Sequence, residues 1–282
     1  MRTVLITGSS SGFGLLTSIT LARRGWKVIA TMRDLSRRNE LEMAASTAGV
    51  TSSILIEQLD VTDSTRLGQR VVALLALAGG QLDAVVHNAG IAVAAAFEDL
   101  PEQDLHRVMD TNFFGPLDLT RALLPSFRAG RRGRIVFVSS DSAFAGEPTN
   151  AIYCASKFAV EGFAESLAYE IAPFGVHVVV IEPGPYRTEI WRNSPRVQPA
   201  NSAYGPLLDT LWPAVDKHVA KTAGDPQEVA NAIAEALDAK RPRFRYPVGT
   251  TARIGLFLRG KIPTALMRRG ISRYLGIHKV KL

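Results

Sequence analysis

Along residues 1–185, short runs of β-branched and aliphatic residues alternate with longer stretches whose apolar positions recur every three or four residues. The short runs at 4–7, 27–32, 53–59, 84–87, 134–139 and 176–182 are apolar at most positions, as strands covered on both faces must be. Residues 12–24, 67–78, 104–128 and 153–172 carry the helical period between them. The alternation predicts repeated βαβ units and hence a single-domain α/β fold, a doubly wound parallel sheet with helices on both faces.

Past Pro183 the pattern changes. Pro185, Pro195, Pro199, Pro206 and Pro213 interrupt residues 185–222, among Tyr186, Trp191, Tyr204 and Trp212. So many prolines predict a long connection with ordered pieces, and long insertions in compact domains commonly serve as lids. Regular structure is expected to resume at Asp225-Pro226-Gln227-Glu228, which supplies a cap, a proline at the first helical position and a glutamate three after the cap. That helix should run to about residue 239, with a last strand at 244–248.

Hydrophobic residues make up 46% of the 282 positions and charged residues 21%, the balance of a chain that builds a core and not of a disordered one. The longest apolar run, 71–78, falls far short of the roughly 20 residues that span a bilayer. The single cysteine, Cys154, cannot close an internal disulfide, and the five histidines show no zinc-ligand spacing, so no metal site is expected. Met1-Arg2 runs into a strand and not into a secretory core, which makes the reducing cytoplasm the expected compartment. The formal charge is +7, yet residues 240–282 hold twelve Lys/Arg and no acid, leaving 21 Lys/Arg against 26 Asp/Glu before them. A nucleic-acid binder spreads positive charge over its body, so this distribution argues against one.

Directly after the first strand, Thr7-Gly8-Ser9-Ser10-Ser11-Gly12-Phe13-Gly14 leads into a helix. Glycines let the backbone turn tightly and approach a pyrophosphate, while the following helix presents unpaired N–H groups and its positive dipole end. Further on, Tyr153 and Lys157 stand four apart on a predicted helix and so share one face. A free phenol has a pKa of about 10, and a neighbouring ammonium is expected to lower it enough for proton exchange.

The spacing Gly-x-x-x-Gly-x-Gly resembles the short-chain dehydrogenase/reductase family. His87-Asn88-Ala89-Gly90 is similar to that family's Asn-Asn-Ala-Gly segment, with His87 in place of the first Asn. Asp60-Val61 resembles its adenine-holding acid, and Pro183-Gly184 with Thr188 resembles its segment around the nicotinamide carboxamide. Ser140 lies thirteen residues before Tyr153, the separation of the family serine that hydrogen-bonds the reacting oxygen; Ser139 and Ser142 are the alternatives. Asn112-Phe113-Phe114-Gly115 resembles the Asn-x-x-Gly segment whose asparagine helps hold a proton-relaying water. Residues 30–35, 153–162 and 173–177 bring the resemblance nearest to the hydroxysteroid and retinol dehydrogenase branch.

The resemblance implies a Rossmann-type sheet, hydride transfer with a nicotinamide cofactor, and catalysis by Asn112, Ser140, Tyr153 and Lys157. Cofactor contacts are implied for Gly8, Ser10, Ser11, Gly12, Phe13, Gly14, Asp60, Val61, Asn88, Ala89, Gly90, Tyr153, Lys157, Pro183, Gly184 and Thr188. A member preferring NAD would place an acid after the second strand, where this chain has Met32 and Arg33. NADP(H) is therefore expected ahead of NAD(H), with Arg33 and Ser11 on the 2′-phosphate. The other reading pairs Arg33 with Asp34 in solvent, or sets Asp34 on a ribose. Epimerases and dehydratases use the same Tyr and Lys, and non-catalytic nucleotide sensors share the fold. The glycine spacing and the retained Tyr153 and Lys157 argue for an oxidoreductase. A homodimer or homotetramer joined through the helices at 104–128 and 153–172 is implied as well.

Tyr186, Ile190, Trp191, Tyr204, Leu207, Leu208, Leu211 and Trp212 outnumber the charges of their segment and suit a lipophilic carbonyl or alcohol, steroid- or retinoid-like. The alternative is that they anchor the lid or cover an oligomer contact. The basic extension at 240–282 reads either as a cationic patch for a membrane surface or as an ordinary C-terminal helix over the active-site rim. Gly255, Gly260, Pro263, Gly270 and Gly276 break helical continuity and favour the second reading.

Overall fold

The computed structural model describes residues 1–190 and 194–280. One sheet holds β1 (Thr3–Ile6), β2 (Lys27–Met32), β3 (Ile54–Gln58), β4 (Ala84–His87), β6 (Gly133–Val138), β7 (Val176–Pro183) and β9 (Arg245–Val248). Their order is β3-β2-β1-β4-β6-β7-β9, and every pairing is parallel. Two-residue strands β5 (Ala94–Ala95) and β8 (Arg196–Val197) pair separately. The chain moves outward from β1 to β3 and restarts beside β1 at β4. A crevice therefore opens above the C-terminal ends of β1 and β4, the usual ligand position in such sheets.

Alternation along the strands explains why both faces are covered. Val4, Ile6, Val28 and Ala30 point to one face, where α1 (Gly12–Arg23), α2 (Asn39–Thr47) and α8 (Gln227–Asp238) contribute Leu21, Leu41 and Ile233. Leu5, Ile29 and Val85 point to the other, under α3 (Ser64–Leu77), α5 (Gly115–Gly130) and α6 (Ala151–Ile171), which add Leu74, Leu123 and Leu167. Each of the valines, leucines and isoleucines among them stabilises the fold by about 1.5–3 kcal/mol on burial.

The structure departs from the sequence expectation in four places. The helix expected at 104–128 is two, α4 (Glu102–Met109) and α5, joined by a π-turn at Asp110–Phe114. Pro116 has no N–H to give the Asn112 carbonyl, which an α-helix would require, and the turn widens there. The second half of the proline-rich segment is a regular helix, α7 (Gly205–Thr222), because Pro206 occupies its first turn, where no donor is needed. α2 carries only Leu41 and Ala45 to the core, a pattern too sparse to read. The basic extension departs beyond the strand expected at 244–248, which is β9: in place of one C-terminal helix come two, α9 (Thr250–Leu258) and α10 (Thr264–Tyr274).

Candidate active site

A cleft of about 530 Å³ occupies the crevice. Gly8, Ser10, Ser11, Gly12 and Phe13 line it from the β1–α1 loop, and Arg33 from the end of β2. Asp60 and Val61 line it beyond β3, Asn88, Ala89 and Gly90 beyond β4, and Thr188 beyond β7. Gly8 adopts φ +70°, and a Cβ there would stand 2.8 Å from the Ala89 Cα. A Cβ on Gly14 would overlap the Gly8 carbonyl; Gly14 lies beneath the loop and lets α1 dock there, outside the cleft lining.

Asn88 braces the loop from the other side. Its Nδ2 donates to the carbonyls of Thr7 at 3.0 Å and Gly8 at 2.9 Å, and the Thr7 hydroxyl accepts from the N–H groups of Asn88 and Ala89. The first turn of α1 has no acidic residue, and the Ser11 hydroxyl makes no capping bond. The positive end of α1 is thus uncompensated above a glycine cradle, an arrangement that fits a pyrophosphate. Asp60 Oδ1 accepts from the N–H and hydroxyl of Thr62, at 2.9 and 2.7 Å. Asp34 accepts from the Ser36 N–H at 2.9 Å, capping the turn Leu35–Arg37, and no ion pair joins it to Arg33 among the described residues. Pro183 ends β7 and Gly184 follows it, both outside the cleft lining; an added Cβ on Gly184 would overlap the Thr251 hydroxyl and stand 3.4 Å from Asp141 Oδ2. His87 stacks on Phe137 at 4.8 Å and bonds the Thr120 hydroxyl at 2.9 Å. Burial lowers its pKa to about 3, so it is neutral.

Tyr153 and Lys157 occupy the first two turns of α6 on one face. Lys157 Nζ lies 5.6 Å from the Tyr153 ring centroid and donates to the Val138 carbonyl at 3.0 Å. Burial brings its pKa down to about 8, against an opposing pull from Glu161. The sequence predicts that this ammonium lowers the phenol pKa. In the structure burial dominates instead and holds Tyr153 above the ordinary tyrosine range, with a hydrogen bond to Ser140 opposing it and Glu147 and Asp141 reinforcing it. Tyr153 therefore keeps its proton at neutral pH.

Ser140 accepts from the Ser142 N–H at 3.1 Å and donates to Asp141 Oδ1 at 3.3 Å. Ser142 donates instead to Glu147 at 3.1 Å, so of the three serines Ser140 is the one set against Tyr153. Burial, then repulsion from Glu147, raises Asp141 to about 7. Asn112 is buried in the π-turn: Oδ1 accepts from the Ile91 N–H, and Nδ2 donates to the Ile91 carbonyl and the Ser156 hydroxyl. Its side chain thus couples the loop after β4 to α6. Cys154 is buried, its thiol pushed up to about 12.

Among known proteins, residues 2–198 match the family model for short chain dehydrogenase. The chain belongs to the short-chain dehydrogenase family. It is 37% identical over 261 residues to retinol dehydrogenase 8 of Bos taurus, across 88% of this chain and 82% of that protein. It is 36% identical over 252 residues to 17-beta-hydroxysteroid dehydrogenase type 1 of Homo sapiens, across 86% and 76%. A crystal structure of a short-chain dehydrogenase from Streptomyces avermitilis matches with a TM-score of 0.79 at 31% identity, over 99% of this chain and 97% of that one.

In this short-chain dehydrogenase Arg37 and Arg107, which no sequence motif singles out, also line the cleft. Arg37 stands four residues past Arg33 on a polar turn and carries no signal of its own. Several apolar side chains of 185–222 anchor that segment: Leu208 and Leu211 are fully buried, and Tyr186 donates to Glu228 at 2.9 Å and meets Phe13 edge-on at 5.7 Å. Ile190 lines the cleft, and Trp191 lies outside the described residues.

Proposed function

We propose that this short-chain dehydrogenase transfers hydride between NADP(H) and a lipophilic ketone or secondary alcohol, with Tyr153 as general acid and base. The observation that carries the reading is a protonated, buried phenol beside Ser140 and one helical turn from Lys157, whose Nζ stands 3.8 Å from where a Cβ on cleft-lining Gly90 would lie; the four expected catalytic side chains are themselves outside the cleft lining.

Gly8, Ser10, Ser11, Gly12 and Phe13 would hold the pyrophosphate, Asp60 and Val61 the adenine, Asn88, Ala89 and Gly90 the inner edge, and Pro183, Gly184 and Thr188 the carboxamide. When bound, the nicotinamide supplies hydride for reduction and accepts it in oxidation. Ser140 orients the substrate oxygen by a hydrogen bond. Tyr153 gives that oxygen its phenolic proton as charge develops, and takes it back when an alcohol is oxidised. Lys157 places a cation beneath the phenol and would hold ribose hydroxyls. Asn112 keeps α6 in register with the loop after β4 by its bond to Ser156.

Arg33 and Arg37 on one rim, with no acid at Met32, support NADP(H) over NAD(H). Similarity to retinol dehydrogenase 8 and the apolar character of residues 185–222, read as a substrate lid, support a retinoid- or steroid-like compound. Exposed Phe114 and Phe158 on the helical face around α5 and α6 support association there as a dimer or tetramer. NADPH oxidation followed with retinoid, steroid and simple aromatic ketones tests the reading: turnover of a lipophilic ketone is expected, and no oxidation above background with any of them contradicts it.

A further inference from the structure

A second cleft, of about 720 Å³, opens between α10, the turn after it and the loop at 146–148. Arg268, Arg269, Arg273 and His278 line it, and Glu147 is its one acidic lining residue. None of the three arginines is ion-paired among the described residues, whereas Arg245 and Arg259 of the same basic extension pair with Glu161. Glu147 forms no ion pair with them among the described residues. Its two oxygens accept from Ser142 and Asn150, each at 3.1 Å, and burial raises its pKa.

The position of this cleft links it to the reaction. Glu147 lies on the stretch between Ser140 and Tyr153, and Ser142 bridges it to Ser140, its hydroxyl donating to Glu147 and its N–H to the Ser140 hydroxyl, each at 3.1 Å. The far wall is held in place, because Tyr274 of α10 bonds His218 of α7 at 2.6 Å with the rings edge to face. Apolar Ile271 sits among the arginines. Guanidinium groups present planar forks of donors that match a carboxylate or phosphate group, and an unpaired set on one wall favours an anion.

We propose that this cleft is a substrate subsite for an anionic group, a carboxylate or phosphate ester, carried at one end of an otherwise lipophilic carbonyl compound. The inference deepens the reading of Tyr153 as proton donor and rests on it.

The test compares 9-oxodecanoate with its methyl ester. In NADPH oxidation the acid is expected to show a KM at least about tenfold below that of the ester, with similar kcat. The double variant R268Q/R273Q should raise KM for the acid alone, and R268K/R273K should restore part of the difference. Equal KM values in the unaltered chain, or a preference for the acid that survives R268Q/R273Q, would overturn the subsite. Calorimetric titration of the full chain with 9-oxodecanoate reads the subsite without turnover: arginine-dependent binding supports it, and binding indifferent to R268Q/R273Q overturns it. A chain that binds the acid through these arginines yet reduces neither compound would condemn the catalytic reading and leave the subsite standing. Arginine-dependent binding to phosphatidylglycerol vesicles, with equal affinity for acid and ester, would assign the arginines to a lipid surface and overturn the proposal.

Discussion

Asn112 donates a hydrogen bond to the Ser156 hydroxyl at 3.0 Å, and Ser156 in turn donates to the Tyr153 carbonyl at 2.7 Å. The π-turn is thereby fastened to the helix that carries Tyr153 and Lys157. Replacing Asn112 with Leu removes this bond and strands the partly buried N–H and carbonyl of Ile91. A loss of about 2–4 kcal/mol in urea unfolding is expected, with kcat falling alongside. A variant as stable as the parent would show that the turn does not need this bridge.

Asp141 gives stability a pH dependence. Its pKa is raised from 3.8 to about 7, so between those values the folded state holds more protons than the unfolded one. Stability from this group is complete below the unfolded value and is lost as pH rises to about 7. Asp141→Asn keeps a polar partner for Ser140 without the charge. The variant should be close to the parent at pH 4 and more stable at pH 8, by up to about 4 kcal/mol for a three-unit shift. Equal melting temperatures of the two proteins at pH 8 would contradict this account of Asp141.

The parts of the fold read correctly from sequence were those whose physics is local. Strands such as 27–32 announce themselves because helices on both faces demand apolar side chains at successive positions. The glycine loop and the Tyr153–Lys157 spacing are likewise local, since a tight turn and one helical face each span few residues. What stayed hidden depends on distant contacts. Asn112 takes its role from Ile91 and Ser156, twenty-one and forty-four positions away. Arg245 falls in the strand expected at 244–248, but its ion pairs with Glu161 and Glu182 join residues more than sixty positions apart, and nothing near it in sequence announces them. The phenol's raised pKa escaped for the same reason, because spacing reveals the ammonium but not the burial that outweighs it.

Lys157 sets an upper pH limit. With a pKa of about 8 it is cationic below that value and neutral above it. If the cation supports proton transfer, kcat/KM for ketone reduction should fall as pH rises through about 8, approaching tenfold per unit. A profile flat to pH 10 would separate Lys157 from the proton-transfer step.

Arg33 and Arg37 share one rim of the cleft and should divide the work of holding a 2′-phosphate. Arg33→Ala and Arg37→Ala are each expected to lower kcat/KM for NADPH about tenfold and to leave that for NADH within about a factor of two. Parallel losses with both cofactors would place the arginines elsewhere in binding.

In the proposed reaction the Tyr153 phenol moves the proton. Tyr153→Phe deletes one oxygen and leaves the cleft intact, so the measurement is NADPH-dependent turnover of the best ketone beside NADPH affinity by fluorescence titration. Turnover should fall by at least about 1,000-fold while NADPH affinity stays within about threefold. A variant that turns over at a tenth or more of the parent rate would contradict the account.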